Sequence, residues 1–146
     1  MSIEEQIRQQ KVATRRKDSG FKTKKCHFFD LDLLRLKKLA KKMGYEEKIS
    51  NEDLTSIIRS CIAEKYSAVY PEKIIKIPNS KEEQYLYELK QIIAFRCKNH
   101  STLDEIVQFM KNSKYPVPVD KYNSLNMSND QPEWCHELVN ALKPKK

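Results

Sequence analysis

The sequence predicts a mainly α-helical protein in which one short basic strand precedes a series of amphipathic helices. The chain has only two glycines, and 33% of its 146 residues are charged, a composition typical of helical proteins that face water. Apolar residues recur at helical spacing in several segments, whereas Lys22 to Phe29 alternates with a period of two. Because one such strand cannot form a stable sheet alone, we expect it to pair with the same strand of a second copy.

Residues 1–20 are predicted to form a basic arm. Ser2 with Glu5 has the form of a capping box, which predicts a short helix over residues 3–16. This helix would carry too little apolar surface to fold alone, and we expect the segment 18–20 to end it.

Residues 21–70 are predicted to hold the strand and two helices. Asp30 or Asp32 is expected to cap the first helix, Gly44 to end it and Ser50 to cap the second. Apolar residues recur at helical spacing in both helices: Leu33, Leu36, Leu39, Ala40 and Met43 on the first, and Leu54, Ile57, Ile58, Cys61, Ile62 and Tyr66 on the second, which Pro71 limits.

Residues 71–79 are predicted to be a linker, and residues 80–146 a C-terminal helical domain. Within the linker, Ile74–Ile77 fits either a short strand or an extended connection. A long polar loop is expected over residues 112–131. Helix starts are indicated by Ser80 with Glu83, Ser101 with Asp104, and Pro132 in the first turn of the last helix.

The positive charge is concentrated in the first third of the chain. The net charge is +8, and residues 1–49 alone hold 14 Lys/Arg against 7 Asp/Glu, which gives +7. A charge excess confined to one region indicates a polyanionic partner, and we expect nucleic acid. The alternatives are a solvated charged face or a disordered basic tail.

The chain lacks the sequence patterns of a membrane protein, a secreted protein or an enzyme. No apolar run approaches the length of a membrane span, and the N-terminus has no signal-peptide pattern, so we expect a cytoplasmic protein with its cysteines as thiols. No phosphate-binding loop, zinc-protease helix or nucleophile elbow occurs, so catalysis is not expected.

A metal site is not expected either. The residues considered as ligands are Cys97, His100, Cys135 and His136, with Cys26 and His27 elsewhere. The adjacent pair Cys135-His136 would point in different directions on a helix and cannot easily converge on one tetrahedral ion. No cofactor is predicted, and Cys61 on an apolar stripe is expected to be a buried thiol.

Residues 22–66 resemble the ribbon-helix-helix family of DNA-binding proteins. The resemblance covers about a third of the chain: the basic strand, the helix ending at Gly44 and the second helix opening at Ser50. It departs from the family in a longer loop, Tyr45–Ile49, between the helices. Membership would imply an antiparallel ribbon made by two chains, with outward strand side chains on base edges and the second helix's N-terminus on a phosphate.

The resemblance implies base contacts by Lys25, His27 and Thr23 on the strand and a phosphate contact at Ser50 and Asn51, at the start of the second helix. The basic arm would add contacts to the DNA backbone. The full set of predicted DNA-binding residues adds Lys22 and the arm residues Arg15, Arg16 and Lys17.

The C-terminal region resembles, more weakly, the helical DNA-binding domain of large serine recombinases. The similarity rests on Ser101–Asn112, Tyr115–Pro118 and the segment led by Trp134. It implies a winged helix-turn-helix-like domain with a second DNA contact near Lys114, Lys121 and Lys143. Since this half of the chain is almost neutral, packing, oligomerisation or protein binding is an equally good prediction for it.

Together these features predict a sequence-specific, double-stranded DNA-binding homodimer. Family analogy suggests a transcriptional repressor, an antitoxin or an accessory factor of a plasmid, phage or other mobile element. The alternative is a subunit of a larger complex, whose basic arm binds an acidic partner and whose strand completes another protein's sheet.

Overall fold

The chain forms seven α-helices over the residues that the computed structural model describes, 2–73, 76–127 and 131–145. In order they are α1 (Ile3–Asp18), α2 (Asp30–Met43), α3 (Asn51–Val69), α4 (Lys81–Lys98), α5 (Leu103–Asn112), α6 (Val119–Asn123) and α7 (His136–Leu142). The described ranges contain no β-strand, and none of their helices has the length and apolar character needed to cross a bilayer. A mainly α-helical fold is therefore confirmed, whereas the ribbon and the winged form stay predictions.

The chain divides into two compact units. One comprises Met1–Lys24 with Glu88–Lys146, and the other comprises Lys25–Tyr87. These units do not follow the predicted boundaries at residues 20, 70 and 79, since α1 groups with the C-terminal helices. The division of the chain into an arm, a DNA-binding module, a linker and a C-terminal domain stays a prediction.

The predicted segment Ile74–Ile77 lies partly outside the described residues. Ile74 and Ile75 lie outside the described residues. Lys76 and Ile77 belong to neither a helix nor a strand. The pairing of this segment with another strand therefore stays untested.

In the unit Lys25–Tyr87, α2 packs against α3 around a small apolar core. Ala40, Tyr45 and Ile57 are buried, and Leu36, Met43, Ile49 and Cys61 pack against them. Tyr45 and Ile49 come from the loop between α2 and α3, so this loop contributes two residues to the core.

The end of α2 explains how Tyr45 enters this core. Gly44 adopts φ = +99°, the left-handed conformation that glycine accepts without steric penalty. The N–H of Tyr45 then donates to the carbonyl of Ala40 at 3.0 Å, which is the Schellman geometry. The cap predicted at Gly44 is confirmed, and it turns the following ring back onto the helix.

The starts of the first four helices follow the sequence patterns closely. The Ser2 and Ser80 hydroxyls accept the N–H groups of Glu5 and Glu83. At α2, Asp32 accepts the N–H of Phe29 at 3.1 Å, so Asp32 rather than Asp30 is the capping residue.

The start of α5 differs from the prediction by one residue. Thr102, not Ser101, is the N-cap: its hydroxyl accepts the N–H of Glu105. The cause lies in the end of α4, where His100 adopts φ = +64° and Ser101 donates its N–H to the carbonyl of Arg96. Because Ser101 already belongs to the cap of α4, Thr102 is the first residue that can begin the next helix.

The last helix also begins later than predicted. Pro132 is not in its first turn, because α7 starts at His136. The indole N–H of Trp134 donates to the carbonyl of Tyr115 at 2.8 Å, and its side chain is buried. The backbone is extended at Cys135, the residue after Trp134, and α7 begins at the next residue.

The polar loop predicted over residues 112–131 is not wholly irregular. It contains α6, on which Tyr122 is buried. Residues 128–130 of this loop lie outside the described residues.

Candidate nucleic-acid interface

The segment Lys22–Phe29 is exposed along its whole length and has no regular secondary structure in the single chain. Within the described residues, the backbone from 22 to 28 forms no hydrogen bond. The segment ends directly at α2, where Asp32 holds the N–H of Phe29. Its backbone groups are therefore open to water or to a partner strand.

Side chains on both faces of this segment are exposed. The predicted base-contacting residues Thr23, Lys25 and His27 face solvent, and so does Lys22, which is also predicted to bind DNA. Aromatic side chains do so as well: Phe28 is 44% exposed and Phe29 83% exposed. Basic and aromatic groups thus lie together on an uncovered segment.

Helix α3 is apolar on two opposite sides. Ile57, Ser60 and Ala63 lie on the buried side. On the other side is a second row of exposed large side chains, here called the outer stripe of α3: Ile62, Tyr66 and Val69 on the helix, and Tyr70 directly after its last residue. A helix that is apolar on two sides is usually covered on both.

The start of α3 is a complete capping box. The Ser50 hydroxyl accepts the N–H of Asp53 at 3.1 Å, and the Asp53 carboxylate accepts the N–H of Ser50 at 3.3 Å. Asn51 is exposed, and its carbonyl accepts the Thr55 hydroxyl. A phosphate contact by Ser50 or Asn51 stays a prediction, and it would have to share this turn with the Asp53 carboxylate.

The predicted arm residues lie at the end of α1, and they differ in exposure. Lys17 is exposed, whereas Arg15 and Arg16 are half-buried. The Arg15 guanidinium donates to the carbonyl of Ser113 and lies 5.2 Å from the centroid of the Tyr115 ring. Arg15 therefore helps to attach α1, a role that sequence reasoning missed.

Arg15 belongs to a row in which two neighbouring aromatic rings lie between two guanidinium groups. The Tyr115 ring lies 6.5 Å from the Phe109 ring, and the Arg96 guanidinium lies 4.2 Å from the Phe109 centroid. Arg96 also donates to the carbonyl of Asp18 at 3.4 Å. Such contacts stabilise packing when the cation is partly desolvated, so part of the basic excess serves the fold.

The structure divides the predicted DNA-binding residues between the two compact units. Arg15, Arg16, Lys17, Lys22 and Thr23 belong to the unit with α1, and Lys25, His27, Ser50 and Asn51 belong to the unit with α2 and α3. The predicted strand crosses the boundary between Lys24 and Lys25.

The cysteines and histidines show no common centre within the described part of the chain. There, no group of three or more His, Cys, Asp or Glu residues is placed to hold a metal ion. His136 contacts Asp104, and all four cysteines are free thiols. Burial raises the pKa values of the Cys61 and Cys135 thiols, which makes them poor nucleophiles.

The lysines of the predicted C-terminal DNA contact are spread over three places. Lys114 follows α5 with φ = +57°, Lys121 lies on α6, and Lys143 follows α7. Lys114 and Lys143 are exposed and Lys121 is half-buried. Their contact with DNA stays a prediction.

Comparison with known proteins adds no relative to this description. No family model, no curated protein and no solved structure matches the chain.

Proposed function

We propose that this chain is a sequence-specific, double-stranded DNA-binding protein that acts as a homodimer. In the complex, the Lys22–Phe29 segments of two copies pair as an antiparallel ribbon that enters the major groove. The observation that carries the proposal is the exposed basic segment, whose backbone from 22 to 28 forms no hydrogen bond with any described residue and which leads straight into α2. A two-stranded ribbon fits the major groove of B-form DNA.

Pairing between identical segments would satisfy their free backbone groups. In an antiparallel pair, Lys25 and His27 point to one face, and Cys26 and Phe28 to the other. The first face would meet base edges, and the second would cover the apolar surface of the dimer. The exposure of Phe28 in the single chain accords with a surface that a partner covers.

The outer stripe of α3 supports a dimer independently of the strand. Ile62 is 62% exposed, and Val69 is 56% exposed. Burial of such side chains against a second copy would stabilise the pair by about 1.5–3 kcal/mol for each fully buried residue.

The charge distribution supports DNA as the partner. Residues 1–49 carry a net charge of +7, and residues 50–112 carry as many acidic as basic groups. Neutralising phosphates releases counterions from DNA, so basic side chains beside the ribbon would raise affinity for any duplex. The ribbon residues would then select the sequence.

Selection of bound duplexes from random DNA tests this proposal, with a mass measurement in solution alongside. We expect a dimer that enriches a palindromic site. Lys25→Ala with His27→Ala should abolish the sequence preference. Lys24→Ala is the matched control for lysine removal, since it lies on the opposite face of the same segment. If the protein is a monomer and binds no duplex at low salt, the proposal is wrong.

A second experiment separates the dimer from the DNA contact. Ile62→Glu adds a charge to the outer stripe of α3 and should convert the dimer to a monomer that still folds. Ala68→Glu adds the same charge at another exposed position of α3 and should leave the dimer intact. If Ile62→Glu leaves the mass unchanged, the outer stripe of α3 is not the dimer surface.

The biological role would follow from where the selected site lies. A palindrome overlapping a promoter would indicate a repressor or an antitoxin that controls its own synthesis. A site beside an origin or recombination site would indicate an accessory factor of a mobile element. Binding of an acidic protein without sequence-selective DNA binding would instead favour the interaction-subunit alternative.

A further inference from the structure

The outer side of α2 carries a dense group of cations, here called the basic face of α2. All its members lie along about two turns of the helix and all are exposed, whereas Ala40 on the opposite side is buried. The members are Arg35, Lys37, Lys38, Lys41 and Lys42.

These cations are not neutralised within the described part of the chain. None of the five side chains forms an ion pair or a hydrogen bond within the described ranges. Glu46 and Glu47 line an open groove of about 370 Å³ together with Lys37, Lys38 and Lys41, and Asp30 and Asp32 lie in the first turn of α2. Positions 35–42 themselves hold five basic residues and no acidic one, which leaves a positive excess on this face.

The spacing of these residues adds repulsion to the excess. Lys37 and Lys41 are four residues apart, as are Lys38 and Lys42, so like charges are neighbours on the helix surface. Such pairs destabilise an isolated helix, and a bound polyanion would relieve the repulsion. A bound anionic polymer would therefore stabilise this face more than solvation by water alone.

We propose that the basic face of α2 is a second DNA-contacting surface that binds phosphates flanking the groove occupied by the ribbon. This inference rests on the proposed function. α2 starts at Asp30, directly after the ribbon segment. At ~1.5 Å per residue, positions 35–42 lie roughly 8–18 Å along the helix from that point. The major groove is about 12 Å wide, so a helix leaving the ribbon places these cations near the phosphate strands at its edges.

The salt dependence of DNA binding tests this surface. The variant Lys37→Gln/Lys38→Gln/Lys41→Gln/Lys42→Gln removes four charges from α2. The control Lys65→Gln/Lys90→Gln/Lys98→Gln/Lys111→Gln removes four charges from other exposed positions. Fluorescence anisotropy at several salt concentrations gives the affinity of full-length protein for the selected duplex and for a scrambled duplex.

We expect the α2 variant to bind DNA with a much weaker salt dependence. The slope of log affinity against log salt becomes shallower by about 0.9 for each phosphate that the protein no longer neutralises, so a dimer that releases one phosphate per protomer changes by about 2. The preference for the selected duplex over the scrambled one should persist, because phosphate contacts carry no sequence information. The control variant should keep the wild-type slope.

A further variant gives an independent readout. Glu46→Gln with Glu47→Gln removes both carboxylates that line the groove and should raise affinity at low salt for both duplexes. Circular dichroism establishes that each variant keeps its helix content, and Lys38→Gln/Lys42→Gln replaces the fourfold variant if that one unfolds.

The possible failures are distinguishable. Wild-type selectivity with an unchanged slope in the α2 variant would overturn the second surface and leave the ribbon intact. An equally shallow slope in the control variant would also overturn it, since the effect would follow net charge alone. If the wild-type protein binds no duplex at low salt, both the proposed function and this surface fail.

Discussion

The hydroxyl of Ser19 lies 2.7 Å from the phenol oxygen of Tyr115, and this contact joins the end of α1 to the loop after α5. Ser19 is only 3% exposed although it follows a helix without buried residues. Together with the Arg15–Tyr115 contact, the pair attaches the predicted basic arm to the C-terminal helices.

Removing this hydrogen bond should destabilise the protein. Ser19→Ala or Tyr115→Phe leaves one partner without its bond, and we expect a loss of about 1–2 kcal/mol in the free energy of unfolding. The double variant should lose about as much as either single variant, because the two groups share one interaction. Urea unfolding measures these changes. Tyr70→Phe, at an exposed tyrosine, is the control and should change little.

The two glycines of the chain should respond differently to the same substitution. Both have positive φ, +96° at Gly20 and +99° at Gly44, so alanine is strained by about 1–2 kcal/mol at either position. A Cβ at Gly20 would also lie 2.6 Å from Cγ of Phe95, whereas at Gly44 nothing lies within 4 Å. Thermal unfolding should therefore show a clearly larger loss for Gly20→Ala. Equal losses would mean that the Phe95 ring moves aside freely.

The start of α5 offers a sharp test of which residue caps the helix. Thr102→Ala removes the hydroxyl that accepts the Glu105 N–H and should destabilise the protein by about 1 kcal/mol. Ser101→Ala is a matched control, because Ser101 contributes its backbone N–H and this remains in the variant. Equilibrium unfolding compares the two. A larger loss for Ser101→Ala would show that Ser101, as the sequence predicts, is the N-cap of α5.

The helices could be predicted because their determinants are local. A capping side chain and its acceptor lie three residues apart, as at Ser50 and Asp53, and apolar periodicity is a property of one segment. The start of α5 could not be predicted with equal certainty. Ser101 and Thr102 are each followed, three positions later, by an acidic residue. The cap at the end of α4 decides between them, because it already uses the N–H of Ser101 and leaves Thr102 to begin α5.

Contacts between segments far apart in the chain could not be predicted from the sequence. Nothing near Arg15 indicates that a ring 100 residues away would hold it, so its charge alone suggested an open arm. The pairing of the candidate strand could not be predicted from one chain either. Lys22–Phe29 is exposed in the single chain, and in the proposed ribbon its partner would belong to another copy.

The capping box at α5 also predicts a loss of stability in acid. The N–H of Thr102 donates to the Glu105 carboxylate at 3.1 Å, and this bond, helped by the Thr102 hydroxyl and the charge of Arg96, lowers the pKa of Glu105. A carboxyl whose pKa is lower in the folded state stabilises it fully above its unfolded pKa, and the contribution disappears as the pH falls through the folded pKa.

Glu105→Gln should therefore be less stable than wild type at pH 7, and the difference should shrink below about pH 4.3, the ordinary glutamate pKa. Urea unfolding at several pH values between neutral and strongly acidic measures this difference without adding salt. The Glu137 carboxyl, whose pKa the backbone N–H at the start of α7 also lowers, acts in both proteins and cancels in the comparison. A difference that stays constant down to strongly acidic pH would show that the Glu105 charge is not what stabilises this helix end.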